Sequence, residues 1–324
     1  MAIDDVLLAE ENASYDKAAK RFLSMKTLLA WLLKYLVSEF KDFSIRDIAE
    51  KCIEGDPTMT IDTIPVDSDF TNVAKRQQPN KIKGDKNEDG STTEGTVFFD
   101  ILFRAVVPTT GELITLIINI EPQRALYPGY ILVRRAIYYA CRLISSQKET
   151  EFIGDDFNKL KKVYSIWLVM DAPKDGSNSI RQYALKEKLV HGHGHEKINN
   201  YDLLTVVMVY LGKKHTKHRL LNLLHLIFLD KLKAADKRKI LKTDYGMTLT
   251  PEMEEELNTM SSLALGIADR ARMEGERKGV RQGRFSAMLQ NVKALMENMN
   301  ISSTKAMDFL SLAPADRKLV LANL

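Results

Sequence analysis

Apolar residues recur every three or four positions in the first part of the chain. Between residues 14 and 40 they include Ala18, Phe22 and Leu29, a spacing that predicts a helix with one apolar face. A shorter helix is predicted over residues 44–51, with Ser44 as its start signal. Residues 54–95 are instead rich in Asp, Asn, Gly, Thr, Lys and Pro, which predicts turns and short strands or hairpins, with a loop near 84–93.

The most strand-like part of the chain follows. Residues 96–107 and 112–120 are rich in β-branched and aromatic side chains, and the Pro-Thr-Thr-Gly connection between them predicts an antiparallel hairpin. Apolar residues occupy both faces of these strands, as is typical of central strands. A helix over 130–147 and strands over 163–170, 181–190 and 203–211 complete a mixed sheet covered by helices on both sides.

Beyond residue 216 the pattern is helical. We therefore expect an α/β domain over 1–215, a basic helical segment over 216–262, and a long helix with a C-terminal hairpin over 263–324. The hairpin could read DNA, but its few cations favour an oligomerisation or capping role. Ten Lys and Arg against two acids between residues 213 and 242 could follow a phosphate backbone, and a solvated basic face is the alternative.

Composition restricts the class of protein. The chain is 45% hydrophobic and 28% charged, which excludes a disordered or fibrous protein. A net charge of +4 permits a polyanionic partner without requiring one. The cysteines, Cys52 and Cys141, indicate reduced thiols. The acidic N-terminal residues do not resemble a signal peptide and the apolar runs are too short for a bilayer, so we expect a cytoplasmic protein without membrane attachment.

Two carboxylates occupy costly positions in the predicted hairpin. Asp100 falls within an apolar strand and Glu121 ends the next one, and a carboxylate there needs a partner or a metal. Both lie at similar distances from the hairpin loop, so they should face each other. Gln123 shares the face of Glu121. Such oxygen ligands suit Mg²⁺, although a structural pair at the strand ends is the alternative.

Three long runs resemble a known family. They are EGTVFFDILFRAVVPTTGELITLIINIEPQ, YPGYILVRRAIYYACRLISSQKETEF and KKVYSIWLVM. They resemble the PD-(D/E)XK nuclease family transposases, a bacterial group related to the recombination-promoting nucleases, over roughly residues 15–215. The resemblance implies a restriction-endonuclease-like α/β core with a helical C-terminal extension. It also implies a DNA endonuclease that uses Mg²⁺ or Mn²⁺, in recombination or in mobile elements.

The resemblance assigns roles to individual residues. Asp100 would be the acid of the PD half-motif and Glu121 the acid of the other half, and both would bind the metal with the carbonyl of Pro122. Glu94 and Glu39 are candidates for further acids, and a surface role for each is the alternative. Gln123 stands where the motif has lysine, and glutamine can orient a water but carries no charge.

Another cation must then supply the charge, for which Arg124, Arg134 and Arg135 are candidates. Otherwise the enzyme is slow or inactive. The alternative function is therefore a catalytically weak or inactive nuclease fold that acts as a DNA-binding or assembly module.

Two further groups of residues are candidates for binding. The helix after the motif carries side chains that could contact the phosphate backbone near the site, with ordinary helix packing as the alternative: Arg134, Arg135, Tyr138 and Arg142, with Arg124 just before. His191, His193 and His195 alternate with glycine and could wrap a transition metal, although an incidental surface loop is favoured.

Overall fold

The computed structural model divides the chain into two compact units, Met1–Leu263 and Ala264–Leu324. No helix in the described part of the chain is both long enough and apolar enough to cross a bilayer. The structure describes residues 3–54, 58–59, 88–91, 95–98, 100–108, 113–125, 129–148, 150–172 and 174–324.

The first unit begins with helices. The predicted helical segment over 14–40 is two helices, α1 (Ile3–Leu23) and α2 (Lys26–Leu36), and both bury apolar faces. A short α3 (Ile45–Asp47) continues into a π-helical turn, Ile48–Cys52. The hydroxyl of Ser44 accepts a hydrogen bond from the Asp47 N–H at 3.1 Å, so the predicted start signal is confirmed.

A six-stranded mixed sheet forms the centre of the first unit. Its described strands are β1 (Thr58–Met59), β4 (Ile101–Pro108), β5 (Leu113–Ala125), β6 (Val163–Asp171), β7 (Ser179–Ala184) and β8 (Leu204–Tyr210), with β2 (Glu88–Ser91) and β3 (Gly95–Phe98) forming a separate antiparallel pair. The order across the sheet is β1-β4-β5-β6-β8-β7. The pairs β5–β6 and β6–β8 are parallel and the others antiparallel, so the predicted mixed sheet is confirmed.

The helix α4 (Leu132–Ser145) connects the parallel strands β5 and β6 and packs on the sheet. Ala136, Tyr139 and Leu143 on its buried face share one apolar cluster with Trp167 of β6 and Met208 of β8. This packing places α4 beside Trp167, the residue of β6 that pairs with Glu121 of β5.

The rest of the chain is helical, as its pattern predicted. The helices are α5 (Arg219–Phe228), α6 (Ala234–Tyr245), α7 (Pro251–Met299), α8 (Ser303–Phe309) and α9 (Pro314–Leu321). The second unit has a small core of its own around Val292, Ala306, Met307 and Val320.

Candidate metal centre

The end of the β4–β5 hairpin brings Asp100 and Glu121 together. Antiparallel register pairs Ile101 with Ile120, so residues 100 and 121 are the next pair outward. The main-chain N–H of Asp100 donates a hydrogen bond to Oε1 of Glu121 at 3.0 Å. The expectation that these two residues face each other is therefore confirmed.

Asp100 differs from the prediction in its local structure. It lies in a bend, after β3 ends at Phe98 and before β4 begins at Ile101, so the strand predicted over 96–107 is interrupted there. The reason is visible in its hydrogen bonding, because its N–H donates to the side-chain carboxylate of Glu121. Leaving the ladder turns the side chain toward polar partners.

Lys20 is one of those partners, and sequence reasoning missed it. Its ammonium group donates to Oδ1 of Asp100 at 2.5 Å, and the two side chains are 19% and 18% exposed. Lys20 lies on α1, 80 residues before Asp100, beside the buried Ala18 and Ala19. A lysine at the border of an apolar helix face is a weak signal, and nothing local to the motif points to it.

Glu121 is the most deeply buried acid of the site, with 2% of its surface exposed. Burial, followed by the charge of Asp100, raises its pKa well above the ordinary value. The hydrogen bond from Asp100 and the charge of Arg135 oppose this shift without cancelling it. Glu121 therefore resists ionisation unless a further cation is close.

Arg135 and Tyr139 of α4 lie beside this acid. Arg135 donates to the hydroxyl of Tyr139 at 2.6 Å and also to that of Tyr130, and its guanidinium lies 4.8 Å from the Tyr139 ring centre. Burial raises the pKa of Tyr139, and the charge of Glu121 adds to the rise although Arg135 opposes it. The helix thus places a fixed positive charge and a protonated phenol next to the carboxylates.

Most of the other residues predicted to bind DNA or metal lie on α4, on β5 or outside the described residues. Arg134 and Tyr138 are exposed, whereas Arg142 is 4% exposed and lies inside the unit. Pro122 is half-buried in β5 and pairs with Leu168. The remaining predictions lie outside the described residues: Glu94 entirely, and Gln123 and Arg124 in their side chains.

Glu39 has a different set of partners. Its carboxylate forms an ion pair with Lys162 at 2.9 Å and accepts a hydrogen bond from the hydroxyl of Tyr164 at 2.6 Å. Burial would raise its pKa, but the hydrogen bonds from Tyr164 and Lys162 outweigh it and lower the pKa. This acid ties the segment after α2 to β6.

The basic stretch over residues 213–242 has both exposed and buried lysines. Its exposed lysines are Lys213, Lys214, Lys217, Lys231, Lys233, Lys239 and Lys242. Lys237, by contrast, is 1% exposed and donates to the carbonyl of Ile227 at 2.8 Å. Part of the predicted basic face is therefore interior.

The donor atoms at the centre fit a hard divalent cation. Two carboxylates meet where β4 begins beside β5, one of them almost fully buried, and oxygen ligands are what Mg²⁺ prefers. A buried carboxylate beside a second carboxylate is costly, and a bound cation removes that cost. Lys20 and Arg135 provide part of the compensation.

The family model of the PD-(D/E)XK nuclease family transposases matches residues 78–262, more than half of the chain. The chain therefore belongs to this family, and its function is related to that of nucleases and transposases. The matched range includes the hairpin, α4 and the parallel strands described above. No curated protein and no solved structure gives a significant match.

Proposed function

We propose that the chain is a metal-dependent DNA endonuclease that hydrolyses phosphodiester bonds, in DNA recombination or in mobile elements. The observation that most supports it is the hydrogen bond from the Asp100 N–H to Glu121, which joins the two acids where β4 begins. Membership of a nuclease family makes hydrolysis of DNA the chemistry to test first.

Asp100 and Glu121 would hold Mg²⁺ or Mn²⁺, with the carbonyl of Pro122 as a third oxygen. Such an ion lowers the pKa of a water and neutralises charge on a phosphate. Gln123 would orient the attacking water by hydrogen bonds. Strand transfer is not part of the proposal, because the residues account for hydrolysis alone.

Lys20 takes the place of the lysine missing at position 123 in this proposal. Its ammonium group contacts Asp100 directly, so it can hold a positive charge beside the scissile phosphate. Arg135 is held by Tyr130 and Tyr139, and therefore acts as a fixed charge near Glu121 and not as a mobile contact to DNA.

The alternative is a weak or inactive nuclease fold that binds DNA or assembles with other copies through the C-terminal helices. The ion pair between Lys20 and Asp100 favours the inactive fold, since a lysine that neutralises Asp100 can take the place of a metal at that acid. Binding of DNA with no cleavage in Mg²⁺ or Mn²⁺ would support this alternative.

Plasmid cleavage in Mg²⁺ and in Mn²⁺ is the test. Asp100→Asn and Glu121→Gln keep the size of each side chain, and we expect both to abolish cleavage. Lys20→Met should lower the rate by about 100-fold, as loss of one charge-stabilising donor does. Lys17→Met is the matched control, because Lys17 is an exposed lysine on the same helix and should leave the rate unchanged.

A double variant tests whether Lys20 acts through its charge or only through its effect on folding. Adding Gln123→Lys to Lys20→Met should restore part of the lost rate, since it returns the charge to the position where the family motif has it. Equal nicking by the wild type and by the Asp100 and Glu121 variants would instead indicate a contaminating nuclease and remove support for this site.

Arg134 and Tyr138 are the exposed candidates for contact with the DNA backbone. We expect Arg134→Ala to weaken binding of duplexes of any sequence, because a phosphate contact carries no sequence information. It should also reduce the slope of log affinity against log salt concentration by about 1. Fluorescence anisotropy at several salt concentrations measures both effects, and an unchanged slope would exclude a phosphate contact.

A further inference from the structure

A second cluster of ligating side chains surrounds the end of α5. His215 precedes the helix, His225 lies in its last turn, and Asp230 follows it. One ligand atom of each residue lies within 4.8 Å of the other two. The main-chain N–H of Asp230 donates to the carbonyl of His225 at 3.0 Å, so the chain folds back and brings the carboxylate over the last turn.

Hydrogen bonds orient the ring of His215. The side-chain amide of Asn222 donates to the hydroxyl of Tyr245 at 3.1 Å, which leaves its oxygen 2.6 Å from Nδ1 of His215. That oxygen can only accept, so Nδ1 carries the proton. Nε2 of the neutral ring then presents a lone pair to the carboxylate of Asp230, 3.0 Å away, and this contact needs a proton or a cation between the two groups.

His225 is the buried member of the cluster, with 5% of its surface exposed. Neither of its ring nitrogens has a hydrogen-bond partner among the described residues. Nδ1 lies 3.1 Å from Oδ1 of Asp230, but the angles are not those of a hydrogen bond. A buried polar atom without a hydrogen bond costs about 1 to 3 kcal/mol, and coordination of a cation is one way to satisfy it.

The spacing between the carboxylate and each imidazole suits a tetrahedral ion. Ligands about 2.0 to 2.1 Å from zinc in tetrahedral geometry stand about 3.3 Å apart. Oδ1 of Asp230 lies 3.1 Å from Nε2 of His215 and 3.1 Å from Nδ1 of His225. His215 is half-exposed at 53%, so a fourth position on this side is open to water.

We propose that His215, His225 and Asp230 hold a zinc ion, separate from the centre formed by Asp100 and Glu121. Two imidazoles and a carboxylate form a donor set that binds zinc in preference to Mg²⁺. Asn222 orients His215 as an outer partner, as the second N–H of a metal-bound histidine commonly requires. The ion would join the segment before α5 to the C-terminal end of that helix.

One nearby charge opposes the ion. The ammonium group of Lys237 is buried and interacts with the charge of Asp230, although its hydrogen bond goes to the carbonyl of Ile227. A protonated Lys237 therefore competes with a cation for Asp230. The direct contact between Nε2 of His215 and Asp230 is what the metal would replace.

The test is zinc binding to the full chain carrying Asp100→Ala and Glu121→Ala, so that zinc on those acids does not contribute. Competition with a chromophoric chelator should give one zinc ion per chain. His215→Ala and Asp230→Asn should each weaken binding by at least 100-fold, and Asn222→Ala by about 10- to 100-fold. His215 is exposed and Asn222 is partly exposed, so circular dichroism should show these variants folded.

A variant with His191, His193 and His195 all changed to Ala is the control. These exposed histidines lie in another loop, and their loss should leave the stoichiometry unchanged. Cobalt in place of zinc should give a visible spectrum without thiolate charge-transfer absorption, which excludes the free Cys52 and Cys141 as ligands. No binding by the parent chain, or binding lost in the triple variant and kept in His215→Ala, would overturn the proposal.

Discussion

At the scale of single residues, Glu121 carries the largest electrostatic cost of the centre. It is buried, its pKa is raised by burial and by Asp100, and it accepts one hydrogen bond through Oε1. A carboxylate with a raised pKa in the folded chain stabilises the fold at low pH and loses that contribution as pH rises through the raised value. Without a metal, the ionised form is therefore the destabilised one.

We expect Glu121→Gln to stabilise the chain in EDTA at pH 8 and to have little effect at pH 4. Glutamine can keep the hydrogen bond from Asp100 without the charge, and the gain should be about 1 to 3 kcal/mol, the usual cost of an uncompensated buried polar group. Urea unfolding at both pH values measures it. Glu255→Gln, at an exposed helical position, should show no such pH-dependent gain. A loss of stability at pH 8 would contradict the argument.

The difference between Asp100 and Lys20 shows what a sequence can predict of this centre. Asp100 and Glu121 belong to one hairpin, so counting outward from its loop was enough to bring them together. Lys20 reaches the same site from a helix 80 residues away, and its position depends on how α1 packs against the rest of the unit. Tertiary packing of this kind leaves no local pattern in the sequence.

At the scale of elements, α1 is held in place by contacts on both sides of Lys20. The hydroxyl of Tyr15, a residue with 5% of its surface exposed, donates to the carbonyl of Phe228 at 2.5 Å. Arg21 forms an ion pair with Glu256 at 3.1 Å. This ion pair is partly exposed and therefore weak. The buried tyrosine is the stronger of the two anchors.

Tyr15→Phe should lower the free energy of unfolding by about 1 kcal/mol or more, because it removes a buried hydrogen bond and leaves the carbonyl of Phe228 without that donor. If α1 positions Lys20 for catalysis, plasmid cleavage should fall as well. Tyr35→Phe is the matched control, since Tyr35 is 37% exposed. Equal unfolding midpoints for the two variants would show that the hydroxyl of Tyr15 does not anchor the helix.

The start of α3 offers a second test of an element. Ser44 accepts a hydrogen bond from the Asp47 N–H, and Ser44→Ala should cost about 1 kcal/mol by removing this cap. Ser44→Asn should retain most of the stability, because asparagine caps helices comparably well. Thermal unfolding distinguishes the two, and an equal loss in both variants would assign the effect to something other than the cap.

Element boundaries were less predictable than element types. Ser44 was recognised as a start signal because capping is a local interaction. The helix over 14–40 is broken after Leu23, and the strand over 96–107 is interrupted at Asp100. In both places the apolar period continues across the break, so periodicity alone does not reveal it.

At the scale of the whole molecule, the two units have separate cores. The sheet cluster of the first unit includes Trp167 and Met208, and the second unit buries Val292, Met307 and Val320. Neither cluster contains residues of the other unit. A unit of about 60 residues buries a modest share of its surface on folding and is only marginally stable. A unit of more than 200 residues buries a larger share of its surface and is more stable.

We therefore expect the chain to unfold in two transitions, with the second unit melting first. Met307 is 1% exposed, and Met307→Ala should cost about 2 to 5 kcal/mol, which lowers the first transition by about 10 °C or more in a domain of this size. Leu33→Ala in α2, where the residue is fully buried, should lower the second transition and leave the first unchanged. Differential scanning calorimetry measures both. One shared transition that shifts equally in the two variants would mean that the two units unfold cooperatively, because a substitution in either core would then destabilise both units.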